Sequence, residues 1–90
     1  MVRPVTRIHI TSSFTKSYRK LSSQTQELAV KKDLSFRHNA FDPRLKTHKL
    51  RGELNGYWSY SVNHSYRILF RFVGSDEVIY YDIGTHDIYT

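Results

Sequence analysis

The sequence predicts an α+β domain in which two N-terminal helices pack on one face of a mostly antiparallel four-stranded sheet, in the order β-α-α-β-β-β. Three observations predict it: an alternating segment at residues 5 to 10, an apolar repeat of helical period after it, and three short strand-like runs separated by turn residues in the C-terminal half. Ninety residues have room for a single core, so the chain, 1–90, reads as one domain with one compact site.

Val5, Thr6, Arg7, Ile8, His9 and Ile10 alternate as a half-buried strand does, and Ser12 and Ser13 then offer helix N-cap oxygens. Phe14, Tyr18 and Leu21 form one apolar stripe, while Lys16, Arg19 and Lys20 occupy the other side of that helix. Ser22 or Ser23 caps a second helix over residues 24 to 37, holding Leu28, Ala29, Val30, Leu34 and Phe36. Asn39 and the Asp42-Pro43 step end it, and residues 42 to 56 read as a connecting loop.

Strands are predicted over 57 to 62, 66 to 72 and 78 to 83, joined by Asn63-His64-Ser65 and Gly74-Ser75-Asp76. In the middle strand, alternation puts Ile68, Phe70 and Phe72 on the helix-covered face and turns Arg67 and Arg71 to the open one. The same rule assigns Ile79, Tyr81 and Ile83 to the core, with Val78, Tyr80 and Asp82 on the arginine side.

Composition excludes several classes of protein. No apolar run approaches the roughly 20 residues of a membrane helix, and Met1-Val2-Arg3-Pro4 leads into the first strand without a signal-peptide core, so a cytoplasmic location is expected. The absence of cysteine removes disulfides, thiolate zinc sites and thiol nucleophiles. Without such staples the core must rest on seven Tyr, five Phe and one Trp. The formal charge of +6 attracts polyanions and an acidic protein partner alike.

Four basic side chains, Arg44, Lys46, Lys49 and Arg51, fall in residues 44 to 51 together with His48, a density suited to phosphate binding or simply to a solvated loop. His86 follows the last strand after Gly84 and Thr85, and an imidazole there is either a surface group or a proton donor to a leaving oxygen. Arg67 on the open face is suited to clamping two phosphate oxygens, with a salt bridge to Asp82 as its plainer role. Together His48, Arg67 and His86 would supply a proton acceptor, a charge clamp and a proton donor. That set lets the 2′-hydroxyl of RNA attack its neighbouring phosphate without a metal, and DNA has no such hydroxyl. His9, His38, His48, His64 and His86 are scattered with no metal-ligand spacing, so neither metal nor cofactor is expected.

The stretch Leu50-Arg51-Gly52-Glu53-Leu54-Asn55-Gly56-Tyr57-Trp58-Ser59, then Tyr66-Arg67-Ile68-Leu69-Phe70 and Ile83-Gly84-Thr85-His86, resembles the C-terminal half of RelE/ParE superfamily toxins, above all the YoeB and YafQ branches. The N-terminal half is similar only in its strand-helix-helix layout. The resemblance implies a RelE-like fold, an mRNA interferase that cuts messenger RNA, usually on the ribosome, and a cognate antitoxin partner. It also implies roles: His48 as general base, Arg67 as stabiliser of the phosphate transition state, and His86 as general acid. Arg44, Lys46, Lys49, Arg51, His64 and Arg71 would contact RNA, as would Lys16, Lys20, Lys31 and Lys32. Tyr89 would stack on a base or pack on the sheet.

The pattern departs from its relatives in places. Trp58 and Tyr60 lie where other RelE relatives carry catalytic lysines, Asp82 stands where the YafQ branch has an arginine, and Ser61 and Ser65 replace that branch's histidine and acidic residues. Two rival readings remain at this level: a ParE-type inhibitor of DNA gyrase, which needs no His48, Arg67, His86 set, and a catalytically silent member that only binds antitoxin or RNA.

Overall fold

Alternating apolar runs separated by turns build a five-stranded mixed sheet backed by two helices in the computed structural model, which describes residues 2–89. The strands are β1 (Arg7–Ile10), β2 (His48–Lys49), β3 (Trp58–Ser61), β4 (Arg67–Phe72) and β5 (Glu77–Gly84). The helices are α1 (Ser12–Arg19) and α2 (Ser23–His38), and single 3-10 turns cover Pro43–Leu45, Gly52–Leu54 and His86–Tyr89. The sheet order is β1-β5-β4-β3-β2. Only the β1–β5 pair is parallel, because the two helices carry the chain away from β1 before it returns, whereas β3, β4 and β5 follow one another through tight turns. The fold class is the one expected from sequence, with one strand more. His48 and Lys49 pair with Ser59 and Trp58, and a two-residue strand is too short to leave a periodic signature in what read as a loop.

Both helices begin on side-chain caps. The α1 cap is Thr11, one residue ahead of the two serines expected, and its Oγ1 accepts the Phe14 N–H at 3.1 Å. Ser22 caps α2 through the Thr25 N–H at 3.2 Å. Only Ala29 and Phe36 of α2 are fully buried. Val30 and Leu34 stay about half exposed, because the apolar residues of this helix do not share one 3.6-residue stripe. Among the described residues no helix is long and apolar enough to cross a membrane.

The core is an aromatic stack between α2 and the sheet. Phe36 lies 4.6 Å from the Tyr60 ring, nearly parallel, and meets Phe70 edge-on at 4.9 Å. The Tyr60 hydroxyl donates to the Tyr80 oxygen at 2.8 Å, and Tyr80 donates to Asp33 Oδ1 at 2.7 Å, so every polar tip in this stack is satisfied. The directions follow from the carboxylate, which only accepts. Burial pushes both tyrosine hydroxyls to higher pKa than usual.

The last strand corrects the expected phase. Phe70 pairs with Tyr80 and Leu69 with Asp82, which leaves Tyr81 as the extra residue of a β-bulge. Val78 and Tyr80 are therefore buried under the helices, where the alternation had placed Ile79 and Tyr81. Beyond the bulge the phase flips back, and Ile83 is buried as expected. Ile68 and Phe70 are likewise buried as the β4 alternation requires.

Candidate active site

Strand alternation fixes what the face opposite the helices presents. Tyr60, Ile68 and Phe70 are in the core, so their neighbours Ser59, Ser61, Arg67, Leu69 and Arg71 face the other way. Ser61 stands opposite Arg67, and Arg67 opposite Gly84. His48 stands opposite Ser59 and shares its face, while Lys49, opposite Trp58, points to the helix side. His48 and Arg67 are then two strands and two residues apart, with Cα atoms about 12 Å from one another.

Arg67 is the most constrained cation of this face. Its Nη1 donates to Ser61 Oγ at 3.2 Å, while its Nε is buried without a hydrogen-bond partner among the described residues. The salt bridge to Asp82 does not form. Asp82 Oδ1 accepts the Ile83 N–H at 2.8 Å, and the ion pairs among the described residues are His9–Glu77, Arg37–Asp33 and Arg44–Asp42. Arg67 lines a cleft of about 240 Å³ with Lys32, Arg44, Lys46, Ser61, Val62, Asn63 and His64. Asn63 Oδ1 shapes its rim by accepting the Ser65 and Tyr66 N–H groups at 2.9 and 2.7 Å. A buried guanidinium N–H without an acceptor, beside further cations, favours an anion.

The base candidate is held through its own strand. Lys46 adopts a left-handed conformation with φ of 54°, and its carbonyl accepts the His48 Nδ1–H at 2.9 Å. Because a carbonyl cannot donate, Nδ1 carries the proton and the neutral ring keeps an acceptor lone pair on Nε2. Leu45, fully buried, and Thr47, whose hydroxyl donates to the Ala40 carbonyl at 2.5 Å, anchor the loop on either side of Lys46.

His86 opens the C-terminal turn, which folds back across the open face. Tyr89 meets the His86 ring edge-on at 5.8 Å, and the Tyr89 and Ser59 hydroxyls are 2.5 Å apart. This cover accounts for the burial of Leu69 on a face that alternation leaves open. Glycine at position 84 leaves room for this turn, since a Cβ there would stand 2.6 Å from Ile88 Cγ2 and one of the two would have to shift. His86 itself is exposed, two residues beyond the position that pairs with Arg67.

The remaining basic residues divide by position. Arg44 and Lys46 reach the cleft, although Arg44 is engaged by Asp42 through Nη2 at 2.7 Å and Nε at 3.1 Å. That guanidinium, aided by the Arg44 N–H, holds the Asp42 carboxyl at about 2, below its ordinary 3.8. Arg51 is exposed ahead of the turn at Gly52–Leu54, and Arg71 is exposed at the far end of β4. Sequence reading gave Ser61 and Ser59 no part in the site, because their contacts with Arg67 and Tyr89 are fixed only by how the chain folds. Among the described residues no group of three His, Cys, Asp or Glu side chains could hold a metal ion.

No family model and no curated protein sequence matches the chain. Solved structures do. A YoeB/ParE toxin from Agrobacterium tumefaciens superposes with a TM-score of 0.75 at 18% identity, over 90% of this chain and 99% of that one. A chain of the toxin–antitoxin complex RelBE2 from Mycobacterium tuberculosis gives 0.76 at 19% identity, over 92% and 93%. This chain has the fold of the RelE/ParE toxins. YafQ from E. coli gives 0.67 at 16% identity, over 93% and 98%. Within that RelE-like fold, the residues that carried the resemblance occupy the 3-10 turn at Gly52–Leu54, β3, β4, the end of β5 and the C-terminal turn.

Proposed function

We propose that this protein is the toxin of a type II toxin–antitoxin system and a metal-independent endoribonuclease that cuts messenger RNA on the ribosome. The observation that carries this reading is Arg67: a guanidinium with an unsatisfied buried N–H, fixed by Ser61 at the mouth of a basic cleft. In the reaction, His48 Nε2 takes the proton of the 2′-hydroxyl, and the freed oxygen attacks the adjacent phosphorus. Arg67 stabilises the charge that develops on the phosphate. As the bond from phosphorus to the 5′-oxygen breaks, His86 protonates that oxygen, leaving a 2′,3′-cyclic phosphate. Lys32, Lys46 and His64 hold the flanking backbone.

A cognate antitoxin partner and a cytoplasmic site of action belong to the same reading. The similarity to a protein solved as part of a toxin–antitoxin complex supports the partner. So does the apolar groove of about 380 Å³ that Ile10, Phe14, Tyr18 and Val30 leave between α1 and α2.

Purified protein added to a bacterial cell-free translation reaction is expected to cut the messenger and leave cyclic phosphate ends. A messenger with a 2′-deoxyribose at the cut nucleotide should survive. Equal cutting of the deoxy messenger would contradict the mechanism, and loss of gyrase supercoiling without any cut ends would favour the ParE-type reading instead.

A further inference from the structure

The open face carries a second feature that the proposed cleavage does not use. Tyr57, immediately before β3, and Tyr81, on the bulge of β5, meet edge to face with ring centroids 5.2 Å apart. The Arg71 guanidinium stands 5.4 Å from the Tyr57 centroid. Both rings are half-buried and Arg71 is exposed, with no part in the ion pairs of the described residues. Alternation from the buried Tyr80 puts Tyr81 on this face, and the bulge leaves it unpaired there, with Asp82 in its place opposite Leu69. Thr11 secures the distortion: its hydroxyl donates to the Tyr81 carbonyl at 2.9 Å and its N–H to the Tyr80 carbonyl at 3.2 Å. A bulge that leaves an aromatic residue unpaired on an open face is the kind of distortion found beside binding sites.

We infer that Tyr57, Tyr81 and Arg71 form a stacking subsite for one nucleobase of the single-stranded RNA whose scissile phosphate lies at Arg67. The inference rests on the ribonuclease reading for the identity of the strand. Aromatic faces with a neighbouring guanidinium accept any base by stacking and cation–π attraction, and their energy is independent of phosphate charge. Arg71 lies four residues from Arg67 along β4, about 13 Å, which a single strand spans within a few nucleotides. Between the two arginines the C-terminal turn covers Leu69, so a strand joining the charged clamp to the aromatic pair runs over that turn. Arg7, Arg67 and Arg71 lie on this face with Glu77 and Asp82, in a chain whose formal charge of +6 favours a polyanion.

The test is fluorescence anisotropy with a short labelled oligouridylate and a set of the same RNA carrying one abasic position each. Tyr81→Leu, which keeps bulk and loses the π face, is expected to bind about tenfold more weakly with an unchanged dependence on salt. Tyr81→Phe should bind as the native protein does. One abasic position should weaken native binding by a similar factor and leave Tyr81→Leu no weaker. Should circular dichroism show Tyr81→Leu unfolded, Tyr57→Leu carries the same comparison. Undiminished binding by the folded leucine variant, or abasic penalties that are identical in both proteins, would overturn the subsite while leaving cleavage untouched. Binding with the stacking signature, together with no cut ends in the cell-free translation reaction, would support the subsite and contradict the ribonuclease reading. No RNA binding by native protein, alongside cut ends in the translation reaction, would overturn the subsite and leave the ribonuclease reading standing.

Discussion

At the scale of single residues, the site depends on how few of its cations are already neutralised. Arg44 and Arg67 line the same cleft, yet Arg44 is paired with Asp42 and Arg67 with a neutral hydroxyl. Arg67 was legible in the sequence, because β4 alternates cleanly and an arginine between buried apolar residues must turn outward. Ser61 was not, since its contact needs the β3–β4 register. The same pairing gives a titration prediction. Asp42 sits at about 2 because Arg44 donates to it, so whatever it contributes to folding is present above the ordinary 3.8 and is lost as the pH falls from there through about 2. Carbon-detected NMR titration of Arg44→Ala should show the Asp42 midpoint moved up toward 3.8, and an unmoved midpoint would deny the guanidinium its role.

At the scale of elements, two connections position the site. The first is the hydroxyl relay from Tyr60 through Tyr80 to Asp33, which ties α2 to β3 and β5. Its direction makes the two tyrosines unequal. Tyr80→Phe leaves a buried Tyr60 donor without an acceptor and removes the donor to Asp33, at a cost of about 1–3 kcal/mol. Tyr60→Phe leaves only a spare lone pair on Tyr80 and should cost less than about 1 kcal/mol. Urea unfolding of both variants decides the order, and equal losses would mean that the relay runs otherwise. The second connection is the C-terminal turn, whose return over the sheet Gly84 permits. Gly84→Ala should reduce cleavage by displacing His86, and Ile88→Ala in the same chain should restore much of it by vacating the space beside the new Cβ. A double variant no better than the single one would show that the turn does not depend on that contact. The sequence marks this glycine within Ile83-Gly84-Thr85-His86 but does not mark the bulge. Ile79, Tyr80, Tyr81, Asp82 and Ile83 suit either phase, and no glycine or proline signals the extra residue, so only pairing with β4 decides which tyrosine is buried.

At the scale of the whole molecule, the fold splits its surface between two tasks. The helices cover one face of the sheet and bring a core of stacked aromatic rings to a chain with no covalent staples. The other face keeps its arginines and histidines. The helix-helix-sheet order, the segregation of arginines and the position of His86 could all be read from periodicity and motif. The edge strand that carries His48 could not, because two residues have no period, and the Tyr57–Tyr81 pair could not, because only the pairing with β4 decides that Tyr80 is buried and Tyr81 turned outward. The central claim is that His48, Arg67 and His86 act on one RNA linkage. The most direct measurement maps RNA 5′ ends in cells after induction of the native protein and of His86→Ala, with thermal unfolding confirming that the variant is folded. New ends within coding sequences should follow induction of the native protein and be absent with the folded variant. The same ends at the same abundance in His86→Ala would contradict it.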